Sequence, residues 1–423
     1  MQRPFDRRHF AKALLTGTAL AGSGMLLAGC AGGSNGDIGA TGAITPGAAG
    51  DGPRGRDGTS VKIGLLLPLG AGAQTAAIAK AMQQAAELAI FERANSGLQL
   101  VVKDDKGTPE GAKAAAEELV KSGVELIAGP LFSRSVPAVA QIGRAANVPV
   151  IAFSNDPAAA VGGAHLLSFL AESEINRAIA YASAQGRTSF AALLPGDAEG
   201  KIAEPVLRAA VERHGGRIAF IERYDVDQGG IVEPSRKLKD AFQAAESGGQ
   251  KIDALFMPGG SDTLPQLSYL LGQAKIDTGR VKLIGTSGWD FPTIGRDARL
   301  HGAWFAAPDP RGWRDFSVKF SQTYGHLPPR IASLAFDAVD IASTFANQPK
   351  AARFTPQNLT RPSGFTGVDG PVRFMAHGRS ERGLAVLEVQ KGGPIVVDTP
   401  PQTMATVAPL AGAVASRSAA GLN

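Results

Sequence analysis

A chain of 423 residues, 44% hydrophobic and 19% charged, is long enough to bury large cores in two or three domain-sized units. Its formal charge of +5 is concentrated at the start, where Arg3, Arg7, Arg8 and Lys12 stand against Asp6; the remainder is close to balance and calls for no nucleic-acid partner. A single cysteine, Cys30, excludes a disulfide framework, a cysteine-based zinc site and a Cys–His nucleophile in the folded body.

Residues 1–29 have the layout of an export signal: a basic start, an apolar stretch, then small residues before Cys30. The apolar run is too short and too rich in Gly, Ser and Thr for a membrane span. LAGC at 27–30 resembles the lipobox of bacterial lipoproteins, which implies lipidation of Cys30 and a membrane anchor. DRRHFAK at 6–12 resembles a twin-arginine export signal. Residues 30–60 hold ten glycines after the cysteine and no apolar periodicity, so they are expected to form a flexible tether.

From Val61 onward the sequence alternates between strand and helix patterns. VKIGLLLPL at 61–69 is a buried-type strand and 74–93 has helical spacing of apolar residues. LQLVVKDD at 98–105 is a second strand. Thr108 and Pro109 then open a helix reaching about residue 121, the hydroxyl as cap and the proline in the first turn. VELIAGPLFSRS at 124–135 reads as a strand, a Gly-Pro turn and the start of a helix, and VPVIAF at 148–153 as a fourth strand. The alternation restarts with a helix at 172–185 and continues through strands at 188–195, 217–224, 252–258 and 281–285. The helices between them fall at 201–214, 232–245 and 264–274. Repeated βα units predict parallel sheets covered by helices on both faces. Two helices follow, at 311–324 and 329–346, then a β-rich end at 364–374 and 383–393. The Ala-, Pro- and Ser-rich stretch from residue 399 is expected to be poorly ordered.

The pieces VKIGLLLPL, DDKGTPE (104–110), IAGPL (127–131) and GVDGPVRF (367–374) occur in the order that resembles the leucine-binding, branched-chain amino-acid branch of the type I periplasmic solute-binding proteins. The resemblance implies an α/β, two-lobed type I periplasmic-binding fold: two parallel sheets flanked by helices, with three interlobe crossovers. It places lobe 1 at 61–168 and 291–379, lobe 2 at 169–290 and 380–398, and a disordered tail at 399–423. It further implies a small-molecule ligand, an amino acid or amide, held by hinge closure and passed to an ABC permease. GPL (129–131), PVIAFSND (149–156), GTSGWD (285–290) and AWFAAPDP (303–310) resemble a lipoprotein subgroup labelled penicillin-binding protein activator. That likeness implies a different partner, a peptidoglycan synthase, with the body acting as a regulator of wall synthesis.

Carried over from the family, the ligand contacts of lobe 1 are Ser133, Arg134 and Ser135 after the third strand and Ser154, Asn155 and Asp156 after the fourth. Helix-start N–H groups there suit a carboxylate. Ser133 would serve equally as a helix cap, and Asp156 before Pro157 as a turn former. In lobe 2 the corresponding positions are Asp197, Ser261, Ser287, Trp289 and Asp290. Here the sequence departs from leucine binders: Ala198 stands where an aromatic packs on the ligand, GGSD at 259–262 lacks another, and the acidic residue that would hold an ammonium is displaced or absent. Asp290 is a substitute for it, and Trp289 is either a stacking surface or a core residue.

Enzymatic readings have no support in the residues. GAG at 70–72 lacks the third glycine of a dinucleotide fingerprint. There is no Gly-x-Ser-x-Gly elbow, Walker sequence or HExxH, and His165, His214, His301, His326 and His377 are scattered singly. The expectation is a non-enzymatic binding protein without cofactor or metal.

Overall fold

The computed structural model describes residues 60–93, 97–225 and 232–410. The expected export signal, the expected lipidation site Cys30 and all but the last residue of the Gly-rich tether lie outside the described residues, as do residues 411–423.

Strand β1 (Val61–Leu67), helix α1 (Ala73–Glu92), β2 (Leu98–Asp104), α2 (Pro109–Lys121), β3 (Leu126–Ala128), α3 (Val136–Ala145), β4 (Val150–Ala152) and β5 (Ala164–Leu166) form the first unit. Its sheet is parallel throughout, in the order β2-β1-β3-β4-β5. The unbroken apolar run of β1 follows from burial on both faces. Val61, Ile63, Leu65 and Leu67 point into a core with α1, while Leu66 points into another with α2 and α3. Gly64 leaves room for Leu119 of α2, which would lie 2.9 Å from a Cβ there. Thr108 caps α2 as its sequence position suggests, accepting the Gly111 N–H at 3.0 Å, with Pro109 in the first turn. Such a cap contributes about 1 kcal/mol.

The second unit follows with α4 (Ala171–Ala184), β6 (Ser189–Pro195), α5 (Ala198–Arg213), β7 (Arg217–Tyr224), α6 (Val232–Ser247), β8 (Ala254–Phe256), α7 (Leu264–Gln273), β9 (Lys282–Gly285) and β10 (Trp304–Ala307). Then come α8 (Pro310–Tyr324), α9 (Ala332–Ser343), a short α10 (Pro356–Leu359), β11 (Phe365–Gly367), β12 (Gly370–Phe374), β13 (Ser380–Arg382), β14 (Ala385–Gln390) and β15 (Gly393–Asp398). The second sheet has the order β15-β14-β10-β9-β8-β6-β7. It is parallel from β10 to β7, with β14 and β15 added antiparallel at one side. Its two faces pack on α6 and α7 and on α4 and α5. Helix α9 and strands β11 and β12 return to the core of β1 and α1, so the first lobe is completed by chain from the far side of the second.

Three departures from the sequence reading have physical causes. Strand β5 is only AHL in a Gly-rich stretch, too short for any period to register. Strand β10, placed in lobe 1 from the sequence, pairs parallel with β9 and antiparallel with β14. Residues 291–307 therefore continue the second sheet, and the chain crosses to the first lobe only at Pro308 and Asp309. The stretch expected to be disordered from residue 399 is docked as far as Leu410. Met404, 1% exposed, sits in a short turn against β12; its N–H and the Thr403 hydroxyl bond the Ser363 carbonyl. Arg373 donates to the carbonyls of Met404 and Val407 at 2.9 and 2.8 Å, and Glu381 accepts the Leu410 N–H. The three expected crossovers are thus joined by a fourth passage, from β15 back onto the first lobe.

Charges are buried where these passages meet. Arg382, 6% exposed, lies 5.0 Å from the centre of the Phe169 ring and 3.9 Å from Asp337. Asp337 accepts the Val368 N–H at 2.7 Å. Arg330 pairs with the wholly buried Asp369 at 2.7 Å, and the Ser333 hydroxyl bonds the same carboxylate. Burial pushes the Asp337 carboxyl from 3.8 up to about 7; Arg382 and the Val368 N–H oppose the shift, while Asp369 and Asp340 reinforce it.

Two outcomes follow. A carboxyl whose pKa is raised in the folded state holds its proton where the unfolded chain has lost it, so it stabilises at low pH and that stability is lost as pH rises. Between about pH 4 and 7, Asp337→Asn should flatten the decline in stability measured by urea unfolding at stepped pH. Arg373→Ala, which strands Glu381 and frees two carbonyls, should cost about 3–5 kcal/mol and expose residues 399–410 to limited proteolysis.

Candidate functional site

In open parallel sheets ligands bind beyond the carboxyl ends of the strands, and both lobes present structured loops there. In the first lobe the loop after β3 is fixed by its backbone. Gly129 has φ of +113°, and a Cβ on it would lie 2.1 Å from the Leu66 carbonyl oxygen. Its N–H bonds the Ile151 carbonyl at 2.7 Å, and Phe153 N–H bonds that of Pro130 at 3.0 Å. These contacts hold the loop between β1 and β4 and lead it into one turn of 3-10 helix, Ser133–Ser135, ahead of α3.

The six candidates in this lobe separate by what they already touch. Arg134 donates to the Gly107 carbonyl at 2.7 Å and lies 4.9 Å from the Phe132 ring centre, so it ties two loops together. Ser135 is buried, and its hydroxyl has no hydrogen-bond partner among the described residues. Ser154 is buried and accepts the Asp156 N–H at 3.1 Å; Asp156 in turn caps a short turn through the Ala158 N–H at 2.9 Å. The side chains of half-buried Ser133 and exposed Asn155 make no hydrogen bond among the described residues. Neighbouring β2 ends in Asp104, which accepts the N–H groups of Gly70 and Lys106, and Asp105, whose carboxyl is raised by burial and accepts the Gly107 N–H.

The rim of the second lobe is acidic. Asp197 caps α5 through the N–H groups of Glu199 and Gly200. The Glu199 carboxyl is raised by burial and by the charges of Asp197 and Asp262. The Tyr224 hydroxyl is pushed up by burial and by the same three carboxylates. Exposed Ser261 stands next to Asp262. A fourth carboxylate comes from α4: Glu174, 8% exposed, accepts the Ser287 hydroxyl at 2.6 Å and the Ser287 N–H at 3.0 Å. Burial raises the Glu174 carboxyl, the two Ser287 bonds pull it back, Glu199 raises it and Arg382 lowers it. A cationic or N–H-bearing group facing this rim would relieve mutual repulsion.

One candidate is corrected. Trp289 is fully buried; its ring packs across Gly285, 6.4 Å from the Phe305 centroid, in the core under β9 and β10. It offers no face for stacking. Asp290 turns to Arg330 at 4.0 Å, and its carboxyl is raised by burial; this contact joins the loop after β9 to the segment before α9. Glu174, Glu199, Tyr224 and Asp262 were not singled out from the sequence. Glu174 carried a usable signal, since α4 buries Glu174, Ile175, Ala178, Ile179 and Ala182: a carboxylate within an apolar stripe needs a partner.

The sequence profile of the family described as periplasmic binding protein matches residues 60–394. An ABC transporter substrate-binding protein from Sphaerobacter thermophilus is 22% identical, over 81% of this chain and 98% of its own, with a TM-score of 0.62. An ABC transporter substrate-binding protein from Desulfitobacterium hafniense, in complex with Leu, is 19% identical over 80% of this chain and 100% of its own, TM-score 0.57. A solute binding protein of an ABC transporter from Rhodopseudomonas palustris, in complex with 3,4-dihydroxybenzoic acid, is 18% identical over 81% and 96%, TM-score 0.56. No curated protein matches the chain. At these identities the solved structures establish the fold, and the profile, spanning most of the sequence, establishes the rest: this chain belongs to the periplasmic binding protein family.

Proposed function

We propose that the protein is a non-enzymatic receptor that takes a small amino acid or amide between its lobes, closes over it, and presents the closed form to an ABC permease. The observation that carries this reading is the difference between the two strand-end rims: a helix start with hydroxyl and amide groups on one, a cluster of carboxyls on the other. The first lobe offers the start of a short helical turn, with Ser133 and Asn155 unspent, which suits a carboxylate or carbonyl oxygen. The second offers Glu174, Asp197, Glu199 and Asp262, which suit an ammonium or amide N–H. A ligand touching both rims binds the closed form better than the open one, which is the differential affinity that hinge closure requires. The relatives include one solved with Leu and one with an aromatic acid; the acidic rim favours the former class. The reading includes export by residues 1–29 and anchoring through Cys30, after the family and the lipobox-like LAGC.

Calorimetry and thermal shift with amino acids, their amides and aromatic carboxylates test it. At a hundredfold excess over Kd the true ligand should raise stability by about 2.7 kcal/mol, and it should carry an N–H donor. Ser133→Ala should weaken it by about 1 kcal/mol, and Glu199→Gln by about 1.5–3 kcal/mol if the group is charged. Binding of aromatic acids alone, or none by any member of the panel, would overturn the assignment.

A further inference from the structure

A separate cavity of about 320 Å³ lies on the seam, lined by Asp156 and Pro157 of the first lobe, by α4 and α5 of the second, and by residues 375–381 and Leu410. It is distinct from the strand-end rims apart from Asp156. Its body is apolar, with Leu170, Ile202, Val206, Ala209, Met375 and Leu410 in the wall. The volume is at the low end for small-molecule sites and admits a ligand of roughly ten heavy atoms.

Two acids of this wall are committed: Glu381 takes Arg373 and the Leu410 N–H, and Asp156 caps its turn. Glu172 takes Arg379 at 3.1 Å through Oε1, and its Oε2 has no hydrogen-bond partner among the described residues. Donor capacity lies in two guanidinium groups, Arg213 and Arg379, held by side chains of one turn of α4. Arg379 bonds Glu172 through Nη1 only. Asn176 donates to the Glu172 carbonyl at 2.7 Å and accepts from Nη1 of Arg213. Arg213 is exposed, and its one side-chain partner among the described residues is that neutral amide. Each guanidinium keeps N–H donors of fixed planar geometry, which match a carboxylate. We propose that this cavity binds an amphipathic monocarboxylate, its apolar tail against α5 and its head on Arg213 and Arg379.

The test is calorimetric titration of the full chain with octanoate, with octylamine as the matched probe of opposite charge. Saturable one-to-one binding of octanoate is expected, at least tenfold tighter than octylamine. Arg213→Ala should weaken it tenfold or more. Ala209→Trp, which fills the cavity, should remove it, and Val206→Phe is the second filling variant should the first fail to fold. Ser133→Ala, at the strand ends of the first lobe and outside the cavity wall, should leave octanoate binding within twofold, so failure here is distinguishable from failure of the cleft assignment. No octanoate binding, equal binding of octylamine, undiminished binding in a folded filling variant, or loss in Ser133→Ala would each overturn the proposal.

Discussion

The second lobe presents its rim through one buried contact, the carboxylate of Glu174 holding both the N–H and the hydroxyl of Ser287. Desolvating a carboxylate costs several kcal/mol unless hydrogen bonds and an opposite charge offset it. Here the two Ser287 bonds and the nearby Arg382 offset part of it, and burial still leaves the carboxyl raised. The consequence is geometric: the loop after β9 is fixed to the first turn of α4. That places Glu174 beside Glu199, with Asp197 and Asp262 alongside. A residue buried for structural reasons thereby fixes the loop that carries part of this rim.

The same economy of charge governs the passages between the lobes. Arg382 sits on the short β13, at the point where chain passes into the second sheet, and packs on Phe169 of the passage after β5 and beside Asp337 of α9. Its guanidinium makes no hydrogen bond among the described residues. This leaves a buried cation held by a ring face and nearby charge rather than by directional bonds. Non-directional contacts tolerate small rotations of the groups that make them, which suits a hinge. The docked stretch to Leu410 adds a fourth strand of chain across the seam, and its Arg373 and Glu381 anchors are directional and buried.

Much of the fold was legible because its strands are buried on both faces and therefore read as continuous apolar runs, as β1 and β6 do. Helix α2 was legible from Thr108 and Pro109 alone. Short strands such as AHL of β5 carry no period, and the pairing of β10 with β14 depends on a partner some eighty residues away that periodicity cannot name. The candidate site was less legible for the same reason. Loop positions after strands could be located, and the turn-forming role of Asp156 was foreseen. The partner of Ser287 lies 113 residues distant, and Trp289 looks the same in sequence whether it faces a ligand or, as here, packs across Gly285. The carboxylate that meets the loop after β9 comes from a different element, Glu174 of α4.

A ligand held between the helix start of the first lobe and the carboxyl cluster of the second is the central claim, and identification by mass spectrometry of the small molecule released from the purified full chain tests it most directly. The account predicts a molecule bearing both an oxygen acceptor and an ammonium or amide N–H, lost on purification of Glu199→Gln. A bound aromatic acid with no N–H donor, retained by that variant, would contradict it.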